Sequence, residues 1–438
     1  MVGCSGSAVN AGDRILVVGT TADYIEILRQ KKPDRCLFLT SRIERNRAFE
    51  DLPGPEEECL FPPDAGPCDM IPALEDHLTS WRINLAGIVC YDCETMSTAA
   101  VLAQHFRLPY PSPETVENCR NKHRCKEIWS AAGIPCPRSA QFSSPGEATA
   151  FLQSTGGPVV LKPLRGSGSE WVFRCDTEKA CGDAARHILD RIGRYGDRRM
   201  YGEEPWTAAT SMAPVRATVE EYASGMEYSC DLLMDGPDAR IIRLARKIPA
   251  SGQSFGTTLA YEIPGSLPEA LTHDELTRIL ERAARSLGIE RAICMVDFIF
   301  RDGTPLLLEM TPRPGGDCLP FLILQASGFD ILQASLDLAL GRTVQIPGAG
   351  RWEHLIGLRL FADQPGIVAA MDIRLLERDP RVREVCVHRR PGHRVVLPPD
   401  DYDARLFGHA VFAPECMHDL EAECAELSRL LRIEWETP

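Results

Sequence analysis

Several short stretches of this chain carry side chains suited to phosphate and metal chemistry. One runs Met295-Val296-Asp297-Phe298-Ile299-Phe300, then Arg301-Asp302-Gly303-Thr304, then Pro305-Leu306-Leu307-Leu308-Glu309-Met310-Thr311. Two apolar runs flanking Asp-Gly predict a β-hairpin. With the turn centred near Gly303, Asp297 and Glu309 each stand six residues away and face one another. Directly opposed side chains sit about 5 Å apart on one sheet face. Strand alternation adds Thr311 to the face of Glu309. Two carboxylates that close repel unless a cation lies between them, and hard oxygen ligands suit Mg²⁺ bridging phosphates. Taken alone, such a hairpin also fits two carboxylates on a solvated strand.

A second stretch is Val159-Val160-Leu161-Lys162-Pro163-Leu164-Arg165-Gly166-Ser167-Gly168-Ser169. A strand ends in Lys162, and a loop of small residues follows at once. Glycines let backbone N–H groups approach an anion, and serines add donors. The lysine supplies a point charge for phosphate oxygens. By itself the loop reads more simply as a plain turn. Two other phosphate folds do not match. No GxxxxGK[ST] string exists. A protein kinase would place its glycine loop before the lysine strand and carry HRD and DFG triplets, which are absent.

From Glu309 the chain continues Met-Thr-Pro-Arg-Pro-Gly-Gly to Asp317. Two prolines stiffen this segment, and Gly315 and Gly316 offer backbone donors near Arg313. An arginine beside N–H groups suits a carboxylate or phosphate. Earlier, Val219-Glu220-Glu221-Tyr222-Ala223-Ser224-Gly225-Met226-Glu227 leaves a strand, turns at Gly225 and enters another. Such a hinge can present backbone groups to an adenine edge. No Ser-His-Asp set is evident. His273 fits a helix start better than a catalytic role.

These segments need elements to position them. Residues 14–18, 36–40 and 85–91 read as buried strands, and 22–30 and 94–106 as helices, which predicts a small α/β unit. It lacks GxGxxG after its first strand, so a dinucleotide site is not supported. Pro109, Pro111 and Pro113 mark a boundary. A helix is expected from about 113 to 132, stopping at Gly133. Gly156-Gly157-Pro158 opens the lysine strand. A glycine-bearing stretch over 341–350 precedes mixed strands and one helix over about 415–431. Three domains follow: 1–112, 113–340 with a lid over about 156–222, and 341–438.

The length of 438 residues agrees with about three domains of roughly 150 residues. With 48 basic and 62 acidic side chains the net charge is −14, which disfavours nucleic acid as a partner. No run of about 20 apolar residues predicts a membrane span. Residues 1–13 show no signal pattern, so a cytoplasmic location is expected. The 17 cysteines are odd in number and are expected to be reduced, buried small hydrophobes. Cys90 and Cys93 form a CxxC, but no second ligand pair at zinc-site spacing accompanies it.

In this order and spacing, the segments over about 113–340 resemble the ATP-grasp superfamily of carboxylate–amine ligases, with the branch of L-amino-acid and dipeptide ligases most similar. The resemblance implies an α/β (α+β) fold with an N-terminal Rossmann-like domain, a central ATP-grasp domain with a mobile lid, and a C-terminal α+β subdomain. It implies ATP and Mg²⁺ as cofactors, with Mn²⁺ as an alternative metal. Lys122 and Lys162 would contact ATP phosphates under a loop of Gly166, Ser167, Gly168 and Ser169. Glu220 and the backbone of Glu221 and Tyr222 would meet adenine, and Glu227 the ribose. Asp297 and Glu309 would bind Mg²⁺. The family usually has asparagine where Thr311 stands, which weakens any second metal site. Arg313, Gly315 and Gly316 would hold the acyl phosphate and substrate carboxylate. Lys247 lies where a phosphate- or substrate-contacting base is often found. From its place between Lys247 and the metal hairpin, the loop over 249–264, with Ser251, Gly252, Phe255, Gly256, Tyr261 and Glu262, reads equally as a wall for the acceptor substrate and as a surface loop with incidental aromatics.

The implied activity joins a small-molecule carboxylate to an amine through an acyl phosphate, releasing ADP and phosphate. A homodimer is implied by resemblance alone. Two rival activities share the same site: an ATP-dependent carboxylase working through carboxyphosphate, and a non-catalytic nucleotide-binding homologue.

Overall fold

Apolar runs with few charges must be buried on both faces, and the first part of the chain solves this with a parallel sheet. In the computed structural model its strands are ordered Glu58–Phe61, Cys36–Ser41, Asp13–Val18, Asn84–Val89, all parallel. Residues 13–48, 51–62, 65–195, 198–201, 214–416 and 419–436 are described. Expectations for residues 1–12 and for the 202–213 part of the lid fall outside them. Helices Ala22–Lys31 and Met96–Phe106 follow their strands as the periodicity predicts. The strand Glu58–Phe61 was not expected. It is short, and its Glu58 pairs with Arg45 instead of continuing an apolar run.

The helix expected from 113 to 132 is two helices, Pro113–Arg120 and Lys122–Ala131. Asn121 leaves helical geometry (φ −82°, ψ 100°) and its side chain accepts from the Arg124 N–H. An asparagine that caps a new helix interrupts the old one. The break leaves Lys122 on the first turn of the second helix.

A four-stranded antiparallel sheet follows, ordered Ser139–Phe142, Ala217–Glu221, Val159–Pro163, Phe173–Cys175. Lys162 stands near the end of its strand, paired with Thr218. The largest sheet has eight strands: Thr304–Thr311, Arg291–Arg301, Met226–Asp235, Asp238–Pro249, Thr258–Ile263, Leu355–Phe361, Leu406–Phe412, Val382–Val387. Its last three strands come from the segment after residue 341, so that segment extends the central sheet. A three-stranded sheet and the helix Leu420–Ser428 pack at that end.

Helices cover both faces of the large sheet. Leu322, Ile323 and Leu332 join it to the parallel sheet through Ile242, Ile263, Ile15 and Val89. On the opposite face Trp129, Leu276 and Leu280 pack on Leu232 and Val296. Each such side chain contributes about 1.5–3 kcal/mol when fully buried. A parallel α/β sheet joined to antiparallel sheets is the expected fold class. Among the described residues, no single helix is long and apolar enough to cross a membrane.

Candidate active site

The Asp302-Gly303 turn has positive φ at both residues, 49° and 80°, as a two-residue type I′ hairpin requires. It pairs Arg301 with Thr304. A regular ladder from that pair would put Leu308 opposite Asp297. A bulge at Leu308 shifts the register by one and brings Glu309 there. Asp297 thus faces Glu309, as centring the turn on Gly303 predicted, but the bulge supplies the odd residue.

Lys247 and Lys122 pair with these acids, and Lys162 and Lys126 pair with Glu220. Lys247 Nζ lies 3.0 Å from Asp297 Oδ2 and also pairs with Glu227. Lys122 Nζ lies 3.3 Å from Glu309 Oε2 and donates to Gly166 O at 2.7 Å. Lys162 Nζ lies 2.9 Å from Glu220 Oε2, and Lys126 Nζ 2.9 Å from Glu220 Oε1. The second oxygen of Asp297, Oδ1, is buried with no hydrogen-bond partner.

Burial and charge pull these groups in different directions. Burial pushes the Asp297 carboxyl up, with Glu309 and Glu227 adding to it against Lys247. Burial also raises Glu309, but Lys122, Lys162 and Lys247 prevail and hold it down at about 2. Burial lowers the Lys162 ammonium to about 8; Glu220 opposes the fall, and Lys126 and Lys122 add to it. Burial works against the Lys247 cation, but Asp297 and Glu227 hold its pKa well above the usual lysine value. A paired carboxylate at low pKa beside one with an unpartnered buried oxygen fits a hard divalent cation such as Mg²⁺.

Apart from Lys126, these groups line one cleft of about 600 Å³. Gly166, Ser167, Gly168 and Ser169 form its lip, with Ser169 Oγ donating to Gly256 O at 2.8 Å. Gly166 has φ 144° and Gly168 φ 66°, which glycine adopts at little cost. Glu221, Tyr222 and Glu227 line the same cleft. The N–H groups of Glu221 and Tyr222 donate to Arg138 O and Pro158 O, each at 3.0 Å, so these two donors are already used. The Arg174 guanidinium stacks over the Tyr222 ring, 4.2 Å from its centroid. Gly225 closes the hinge where a Cβ would lie 2.2 Å from Phe300 O.

Other predicted residues lie elsewhere. Arg313 does not line the cleft; its Nη2 and Nε donate to Cys93 Sγ at 2.9 and 3.2 Å. The Gly315 N–H donates to Asp231 Oδ1 at 2.8 Å. Gly316 sits beside Arg313 Nη1. Thr311 stands opposite Met295 and is not among the cleft-lining residues. In the loop over 249–264, Phe255 and Gly256 reach the cleft beside Ser169. Tyr261 and Glu262 do not line it; Glu262 is held by Arg246 and by His354 at 2.9 Å.

Two groups were missed in the sequence. Lys126 sits in a helix, where it looks like a surface lysine, yet its side chain is 2% exposed. Asp231 and Arg243 are both fully buried, with Arg243 Nε 2.7 Å from Asp231 Oδ2. Centring their hairpin on Gly236-Pro237 pairs Asp231 with Ile242; a one-residue register shift between Ile241 and Arg243 brings Arg243 there instead.

The sequence profile of the ATP-grasp domain matches residues 155–320, the stretch from the lysine strand through the hairpin and the glycine pair. Residues 155–320 are thus similar to an ATP-grasp domain. The chain is similar to an uncharacterized protein, y4rH, of Sinorhizobium fredii: 25% identical over 318 residues, covering 72% of this chain and 61% of that one. It therefore spans less than two thirds of that relative's length. A D-alanine–D-alanine ligase of Acidovorax ebreus is 27% identical over 255 residues, covering 54% of this chain and 70% of the ligase. The crystal structure of an L-amino acid ligase from Bacillus licheniformis superposes with a TM-score of 0.75 at 19% identity, over 97% of this chain and 99% of that one. A biotin carboxylase from Campylobacter jejuni gives 0.66 at 16% identity, over 96% and 92%. These likenesses show a shared fold along nearly the whole chain.

Proposed function

We propose that this protein is an ADP-forming carbon–nitrogen ligase that activates a carboxylate as an acyl phosphate and couples it to an amine, with amino acids as substrates. The observation that carries this is the convergence of Lys122, Lys162 and Lys247 with the facing pair Asp297 and Glu309 in one cleft. The names of the two ligases above support the amino-acid class.

In this reading Lys122, Lys162 and the loop around Gly166 and Gly168 hold the phosphates of ATP. Glu227 takes the ribose hydroxyls, and backbone atoms over 221–223 other than the two committed N–H groups meet adenine. Glu220 positions Lys162 and Lys126 instead of touching adenine itself. Asp297 and Glu309 would hold Mg²⁺, with Mn²⁺ able to replace it, and the metal would neutralise phosphate charge. Lys247 is paired with both the proposed metal ligand and the proposed ribose ligand. Ligand entry competes for those partners and frees its ammonium for the transferring phosphoryl group.

The substrate carboxylate attacks the γ-phosphorus in line, breaking the bond to ADP. The amine nitrogen then attacks the acyl carbon, and inorganic phosphate leaves. Positioning and charge neutralisation carry such chemistry, so no protein nucleophile is needed. Arg313 would have to exchange Cys93 for the substrate carboxylate.

A phosphate-release screen of amino acids, singly and in pairs, tests the proposal when product masses are recorded. Amide products with one phosphate each are expected. Phosphate release dependent on bicarbonate alone would transfer the site to carboxylation. ATP binding without turnover in any mixture would remove the ligase.

A further inference from the structure

A separate cluster lies at the far end of the large sheet. The strands Val382–Val387 and Leu406–Phe412 are antiparallel neighbours, and their register places Cys386 opposite His409. Opposed residues share a sheet face, and His388, two residues past Cys386, continues it. One ligand atom from each of Cys386, His388 and His409 lies within 4.8 Å of the others. Cys386 Sγ and His388 Nδ1 are 4.0 Å apart.

His409 has no exposed surface, and neither ring nitrogen has a hydrogen-bond partner. A buried imidazole that has lost water at both nitrogens costs free energy unless something binds there. Its aromatic neighbour Phe321 offers no such partner, with ring centroids 4.6 Å apart. His388 is exposed and gives an entry path from solvent. The helix Ala22–Lys31 brings Asp23 Oδ2 to 3.7 Å from His388 Nδ1.

We propose that Cys386, His388 and His409 form a zinc site at the seam between the large sheet and the first helix. Two imidazoles and one sulfur are borderline-soft donors that favour Zn²⁺, unlike the all-oxygen pair in the ATP cleft. Bonds of about 2.3 Å to sulfur and 2.1 Å to nitrogen require tetrahedral ligand separations of roughly 3.3–3.6 Å. The cluster therefore contracts by on the order of 1 Å on binding. Zn²⁺ takes Cys386 as thiolate, and the thiol proton leaves to solvent. Asp23 or a water fills the fourth position. With Asp23 as ligand, the metal ties the N-terminal unit to the edge of the central sheet. The site does not involve Cys90 or Cys93.

The test uses tag-free, full-length protein stripped with a chelator and titrated with Zn²⁺, or with Co²⁺ as a spectroscopic probe. About one equivalent is expected, with sulfur-to-cobalt charge-transfer absorption. Cys386→Ser removes that absorption. His388→Ala, an exposed position whose loss spares the fold by circular dichroism, weakens affinity by at least about 100-fold, beyond what the loss of a group that merely orients a ligand produces. Failure of the wild type to retain either metal overturns the site. So does unchanged affinity in both variants, which would place the metal on other cysteines.

Discussion

Two aspartates on one face of the large sheet have opposite fates. Asp231 stands opposite Met295 and Asp297 opposite Ser229, two residues along the same strand pair. Each owes its cross-strand partner to a one-residue register shift, Asp231 to Arg243 and Asp297 to Glu309. Asp231 is fully buried and fully used: Arg243 donates to Oδ2 at 2.7 Å and the Gly315 N–H to Oδ1 at 2.8 Å. Arg243 spends its other donors on Ser229 O and Oγ, at 2.8 and 3.1 Å. Asp297 keeps one oxygen on the flexible ammonium of Lys247 and one with no partner. A satisfied arginine–carboxylate pair anchors the glycine segment. An incompletely satisfied lysine–carboxylate pair leaves capacity for a ligand.

Substitutions can break this contrast. The largest effect is expected for Glu309→Gln, which removes metal-binding charge and little packing. Phosphate release should fall at least about 1,000-fold while thermal unfolding moves little. Near-normal release would mean that the facing pair holds no metal. Arg243→Met should do the reverse. It strands Asp231 without its cation, costing about 3–5 kcal/mol in denaturant unfolding, with a smaller change in turnover of the folded protein. Equal losses of stability and activity in both variants would erase the distinction.

Lys162→Ala should lower kcat/KM for ATP by about 100-fold, read by initial rates across ATP concentrations. The smallest effect sharpens this one. Lys162 sits at about 8, so its cation is present below that pH and is lost from the free protein as pH rises through it. KM for ATP should then climb by up to about tenfold per pH unit, and Lys162→Arg should flatten the rise. An unchanged profile in the arginine variant would assign the titration to another group.

Much of the site was legible because its spacing is local. Asp297 and Glu309 share one hairpin, and Lys162 is adjacent to its loop. The parallel strands around Val17, Phe38 and Ile88 announced themselves as apolar runs. What was hidden depends on long-range partners. Lys126 is revealed as buried only when Glu220, far away in the chain, packs against it. Cys93, 220 residues from Arg313, takes the guanidinium that the motif had offered to a substrate. The break at Asn121 was missed because apolar residues on both sides mimic one continuous helix. The strands after residue 341 gave no sign of joining the central sheet, since pairing with Thr258–Ile263 leaves no local mark.

The acyl phosphate is the central claim, and isotope transfer tests it most directly. A substrate labelled with ¹⁸O in its carboxylate should deliver one labelled oxygen to the inorganic phosphate formed with each amide. Unlabelled phosphate accompanying amide product would contradict carboxylate attack on ATP.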